Sequence, residues 1–168
     1  RLIAEALHPY PPGVFIATKG GVDKPAAGQI VVDGSPATLA KQVEDALRML
    51  RVDRLDLFQL HRVDPRVPIE DSVVALRALQ LQGKIRFIGL SNVDLGQIRR
   101  ALKVAPIASV QNRFNQAEHA DEEIIDFTQE QGIAFIPYGP LGAHPMQQGA
   151  PLAQAGADQS LSRGGTPA

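Results

Sequence analysis

Apolar positions along the chain follow two rhythms that alternate. Short, nearly continuous apolar runs recur at VFIATKGG (14–21), LDLFQLH (55–61), IRFIGLSN (85–92), ASVQNRFN (108–115) and IAFIPYGPLG (133–142), the last two more mixed. Each is about a strand long, and a strand that is apolar at nearly every position is one covered on both faces. Between these runs the apolar residues return every three or four positions, which is the spacing of one helix face. Leu39, Val43, Ala46, Leu47 and Leu50 mark the first helix, with Ser35 as N-cap and Pro36 at the first helical position. Val73, Leu76 and Leu79 mark the second, which Gly83 ends, and Leu95, Ile98 and Leu102 mark the third. Ile124, Ile125 and Thr128 mark the fourth; it opens on Asp121-Glu122-Glu123, whose charge suits the positive end of a helix dipole, and stops at Gly132.

Strand and helix alternate five times, with crossovers that suit parallel pairing, so the class is α/β. Two architectures remain: an open doubly wound sheet or a (β/α)8 barrel. No G-x-G-x-x-G follows any strand, which weakens the first and favours the second. A barrel needs eight strands, so about five βα units make a partial (β/α)8 TIM barrel. RLIAEAL at the start already has helical spacing, and Gly165-Thr166-Pro167-Ala168 sets a cap and a first-turn proline with no helix after them. The expectation is one incomplete barrel domain over residues 1–168, the middle of a larger protein. Within it residues 143–168 are a Gln/Ala-rich tail leading to a further helix.

Composition narrows the partners. A net charge of −1 supplies no field that would gather nucleic acid or anionic lipid, and no apolar run has the length of a membrane span. There is no cysteine, which removes disulfides, thiolate catalysis and Cys-based zinc sites and fits a cytoplasmic protein. The oligomeric state is open.

In a (β/α)8 barrel the chemistry gathers where the strands end, at one shared mouth. The runs end on Lys19, on His61, on Ser91 and Asn92, on Gln111 and Asn112, and on Tyr138. Taken singly each has an ordinary explanation: a solvated lysine, a histidine bonded to a carbonyl, a helix cap, half-exposed strand amides, an interfacial ring. Together they place one hydrogen-bonding side chain near every strand end. No carboxylate falls at the first four ends, and His8, His61, His119 and His144 lack ligand spacing, so a metal site is not expected. A lone lysine suits a Schiff base. Alternatively lysine and histidine polarise a carbonyl while Ser, Asn and Gln grip a carboxamide and Tyr stacks on an aromatic ring, as a nicotinamide requires.

FIATKGG, DLFQLHRVDP, GKIRFIGLSNV, SVQNRFN and AFIPYGPLG, in this order and spacing, resemble the aldo-keto reductase superfamily across the chain to about residue 142. VPIEDSVVALRALQLQGKIRFIGLSNV and APIASVQNRFN are similar to its bacterial pyridoxal reductase-like (pyridoxine 4-dehydrogenase-like) members. The resemblance implies barrel strands three to seven and a metal-free reduction of a small aldehyde or ketone by NADPH. It also implies a tetrad of Asp, Tyr, Lys and His, with the lysine at Lys19 and the histidine at His61. By the same resemblance Ser91, Asn92 and Gln111 meet the nicotinamide amide, Tyr138 stacks on its ring, and Gly139 and Leu141 run along the pyrophosphate. The family's Asp and proton-donating Tyr have no counterpart here, since Tyr10 precedes the first strand and Tyr138 matches the stacking position. The chain alone is therefore expected to be inactive. The alternatives are a non-catalytic NADPH-binding or regulatory relative and a Schiff-base lyase using Lys19.

Overall fold

The computed structural model describes residues 2–115 and 122–139. Its elements in chain order are α1 (Leu2–Leu7), β1 (Ala17–Gly20), β2 (Val22–Asp23), β3 (Val31–Val32), α2 (Pro36–Leu50), β4 (Leu55–Leu60), α3 (Ile69–Leu81), β5 (Ile85–Ser91), α4 (Leu95–Leu102), β6 (Ser109–Gln111), α5 (Glu122–Glu130) and β7 (Ala134–Phe135). Five strands make one sheet in the order β1-β4-β5-β6-β7, and every pairing is parallel. Each neighbour follows the last through a helix, which is how parallel strands must be joined.

The helices begin and end as their residues require. Ser35 Oγ accepts from Thr38 N at 3.4 Å with Pro36 at the first position of α2. Arg51, at φ 57°, closes that helix in the left-handed region, donating its N–H to Leu47 O. α4 opens on a reciprocal capping box, with Asp94 accepting from Gln97 N at 2.7 Å while Gln97 accepts from Asp94 N at 3.0 Å. Gly83, past the end of α3, has φ 78°, a conformation that costs glycine nothing.

Three of the apolar runs yield shorter strands than their length predicts, the run at 108–115 pairing only over Ser109–Gln111. The run at 14–21 gives the strand Ala17–Gly20; before it the Ile16 carbonyl accepts from Asp56 N and Leu57 N, while its N–H donates to the Asp56 carboxylate at 2.9 Å. The run at 133–142 gives Ala134–Phe135, with Pro137 lacking the N–H that a ladder needs and one further bridge between Arg113 and Tyr138. The stretch 21–35, which has no strand signal, contains a small antiparallel ribbon of β2 and β3.

The core lies between the sheet and its helices. Leu39 and Val43 of α2, Val73 and Leu76 of α3, and Ile98 of α4 meet Phe58 and Leu60 of β4 and Ile88 and Leu90 of β5, all fully buried. Burying each of these larger side chains stabilises the fold by about 1.5–3 kcal/mol. The opposite face of the sheet is more open. There Phe15 and Phe87 stack at 6.3 Å, and with Leu57, Ala108, Ser109, Ala134 and Ile136 they line an apolar cavity of about 300 Å³.

Candidate active site

Because the five strands are parallel, their carboxyl ends lie along one edge of the sheet. Lys19 is the penultimate residue of β1, His61 directly follows β4, Ser91 closes β5, Gln111 closes β6, and Tyr138 and Gly139 follow β7. These are the residues the sequence singles out, and the fold brings them to the same side. Leu141 and residues 143–168 lie outside the described residues.

Asn92 is where the strand ends are joined. Its φ of 55° puts it in the left-handed region, which asparagine tolerates better than most residues. Its backbone N–H donates to Gln111 O at 3.1 Å, linking β5 to β6. Its side-chain Nδ2 donates to His61 O at 2.9 Å, linking β5 to the end of β4, and to Ser91 Oγ at 3.1 Å. Its Oδ1 accepts from the Tyr138 hydroxyl. One residue thus ties together three strand ends besides its own, two through its side chain and one through its backbone. The adjacent Asn112 is a brace: it accepts from Val93 N at 3.1 Å and donates to Val93 O at 2.7 Å. The Gln111 carboxamide has no hydrogen-bond partner among the described residues.

Lys19 and His61 stand on neighbouring strands, and His61 N donates to Gly20 O at 2.8 Å. Partial burial lowers the pKa of the Lys19 ammonium below the usual lysine value. Burial also lowers the pKa of His61, and the cations Lys19, Arg62 and Lys24 lower it further. The ring is therefore neutral at pH 7, one nitrogen donating and the other accepting. Among the described residues no cluster of His, Asp and Glu could hold a metal ion.

Several residues that the sequence does not single out brace the site. Gln59, two residues before His61, donates through Nε2 to Ser109 Oγ at 3.1 Å, and both are 3% exposed. Its one trace in the sequence is an amide inside an otherwise apolar run. Asp64 lies beyond His61, its side chain only 1% exposed. It accepts from Gly34 N at 3.3 Å, from Arg66 N at 2.9 Å, and from Arg66 Nε and Nη2 at 3.0 and 2.9 Å. Arg66 Nη2 also donates to Val32 O at 2.8 Å, and Ser72 Oγ to Gly34 O at 2.7 Å. The loop that starts at His61 is thereby fastened to the β2–β3 ribbon that follows Lys19. The Arg66 bonds hold the Asp64 carboxyl at a pKa of about 2.

A parallel sheet with helices between its strands and a lysine, a histidine and a set of amides at one edge has the form of a partial (β/α)8 barrel. The family model for the aldo/keto reductase family matches residues 1–157, and the chain belongs to that family. It is 40% identical over 143 residues to an uncharacterized oxidoreductase of Schizosaccharomyces pombe, covering 85% of this chain and 46% of that protein. It is 39% identical over 173 residues to pyridoxine 4-dehydrogenase of Escherichia coli, covering 99% of this chain and 59% of that protein. Among solved structures, a glycerol dehydrogenase of Gluconobacter oxydans superposes with a TM-score of 0.80 at 27% identity, over 98% of this chain and 60% of that one. The chain spans about half the length of the curated relatives it matches. Among the described residues no helix is long and apolar enough to cross a membrane.

Proposed function

We propose that this chain carries the cofactor-facing half of an NADPH-dependent reductase of aldehydes or ketones. The observation that supports it most is the junction at Asn92, which gathers His61, Ser91, Gln111 and Tyr138 beside Lys19. The amide-rich set suits a nicotinamide carboxamide: Gln111 has a carboxamide without a partner among the described residues, Ser91 adds a hydroxyl, and Asn92, whose Nδ2 is taken by His61 O and Ser91 Oγ, adds an acceptor oxygen. Tyr138 would cover the ring face, and Gly139, at φ 69°, would let the backbone turn close to the pyrophosphate. NADPH supplies a hydride when bound.

The residues of the chain do the rest. His61, neutral at pH 7, donates a hydrogen bond to the substrate carbonyl and stabilises negative charge on its oxygen. Lys19 provides the positive charge that would lower the pKa of a proton donor beside it. Neither tyrosine of this chain is placed to be that donor. Tyr10 gives its hydroxyl proton to Leu50 O at the end of α2, 2.8 Å away, and Tyr138 gives its own to Asn92. We therefore read the 168 residues as a binding half that needs a tyrosine from elsewhere to turn over. Family membership favours this over a Schiff-base lyase at Lys19. We take its setting to be the cytoplasm and its partner a small carbonyl compound.

Titrating NADPH into the protein while following nicotinamide fluorescence tests the reading. Binding should weaken by about five- to hundredfold in Gln111→Ala, since a carboxamide left unpaired loses on the order of 1–3 kcal/mol. The 168 residues alone should not oxidise NADPH in the presence of an aldehyde. Steady turnover by them would sink the inactive half of the proposal, and identical binding by wild type and Gln111→Ala would sink the other.

A further inference from the structure

The strand register sets Gln59 opposite Gly89 on β5 and Gly89 opposite Ser109 on β6. The hydrogen bond from Gln59 Nε2 to Ser109 Oγ therefore crosses a whole strand, spanning two inter-strand gaps of about 4.8 Å each. It can do so only because Gly89 has no side chain. A Cβ there would stand 2.4 Å from Ser109 Oγ and 2.8 Å from Gln59 Cγ.

Side chains two residues apart on a strand share a face. The row directly above Gln59, Gly89 and Ser109, on the same face and nearer the mouth, is therefore His61, Ser91 and Gln111. Ser91 and Gln111 are themselves paired in register. Lys19 extends the lower row, opposite Gln59 on β1. Below it the sheet turns apolar, where Ser109 borders the cavity lined by Leu57 and Phe87.

We propose that Gln59 and Ser109 are positioning residues: a crossbar over Gly89 that fixes β4 against β6 and so holds Ser91 and Gln111 at the spacing a nicotinamide carboxamide requires. The inference rests on the NADPH reading of the site and adds to it two residues that touch no ligand. A bond buried at both ends resists sliding of the strands, because any shift would leave two desolvated polar groups unpaired. Dinucleotide recognition through the carboxamide then depends on a bond one layer beneath it. Contacts to the rest of the dinucleotide do not.

The test compares NADPH with its reduced 3-acetylpyridine analogue, which lacks the amide NH2, by fluorescence titration of the wild type, Gln59→Leu, Ser109→Ala and the double variant. Wild type should prefer NADPH. Each single variant should weaken NADPH binding by about tenfold while leaving the analogue within about twofold, so that the preference collapses. The double variant should be no worse than either single one, as two residues acting through one bond must be. A purely structural role would weaken both dinucleotides together or lower the melting temperature without changing the preference, and either result overturns the crossbar. So do variants that discriminate as well as wild type. Failure of the wild type to bind either dinucleotide would instead overturn the NADPH reading itself, and the crossbar with it. Ser109→Ala removes a single oxygen, so it serves where Gln59→Leu fails to fold.

Discussion

His61 and Lys19 are electrostatically linked, and the linkage has a measurable sign. Burial and then the charge of Lys19 lower the His61 pKa from an ordinary value of 6.5, so the unfolded chain takes up this proton before the folded one does. The contribution of the neutral ring to stability is thus complete above pH 6.5 and is lost as pH falls through the lowered pKa. A ring-proton NMR titration should give a midpoint below 6.5 for His61. In Lys19→Met that midpoint should rise yet stay below 6.5, since burial is the larger cause. An unmoved midpoint would mean that the two groups do not sense each other. Gly89→Ala should destabilise the protein by about 1–3 kcal/mol, because its new methyl must displace Ser109 and Gln59 from a packed row; a urea denaturation midpoint would read this. At this scale the sequence was legible where residues stand at or beside the end of a strand, as Lys19, His61, Ser91 and Gln111 do. Gln59 was not, because its significance depends on a serine 50 positions away and on an absent side chain between them. No local pattern carries that.

Among the elements, the β2–β3 ribbon depends most on a single side chain. Asp64 fastens the turn before α2 to the loop after β4, directly through Gly34 and through Arg66 to Val32. With a folded pKa of about 2 against an ordinary 3.8, its carboxylate contributes on the order of 2 kcal/mol. That contribution is full above pH 3.8 and is lost as pH falls through about 2. Asp64→Asn should lower stability at pH 7 by a similar amount and flatten the acid limb of the stability curve. Denaturant melts at several pH values would check both. If the variant unfolds at the same midpoint and with the same acid dependence, the clamp has no energetic weight. Helix spacing foretold α2 to α5, and Ser35-Pro36 foretold the start of α2. The start of α4 did not fall at Ser91-Asn92, since the Asp94–Gln97 capping box sets it two residues on and leaves Asn92 for the strand ends. The ribbon was illegible because two-residue strands leave no periodicity to read.

For the molecule as a whole, the alternation of strand and helix made the class and the parallel sheet legible, while the uneven protection of that sheet came only with the structure. β4 and β5 have strands on both sides and helices packed over them, whereas among the described residues β1 and β7 each have one strand neighbour. Hydrogen exchange should accordingly be slowest in Leu57 to Leu60 and Ile88 to Leu90 and much faster in β1 and β7. Equal protection across the sheet would show that the edges are covered by something more than this chain's described residues. The same arrangement bears on how the chain reaches its native state. β4, α3 and β5 are consecutive, pair with one another and share the buried side chains Phe58, Leu76 and Ile88. Bringing them together closes only a short loop, so this βαβ unit is the cheapest place for a folding nucleus to form. Leu76→Ala should therefore slow refolding in a stopped-flow chevron, whereas Ile133→Val, beside the last strand, should chiefly speed unfolding. Gln111 and Tyr138, at the ends of β6 and β7, would then assemble late, on a scaffold whose β4 and β5 ends Asn92 has already joined at His61.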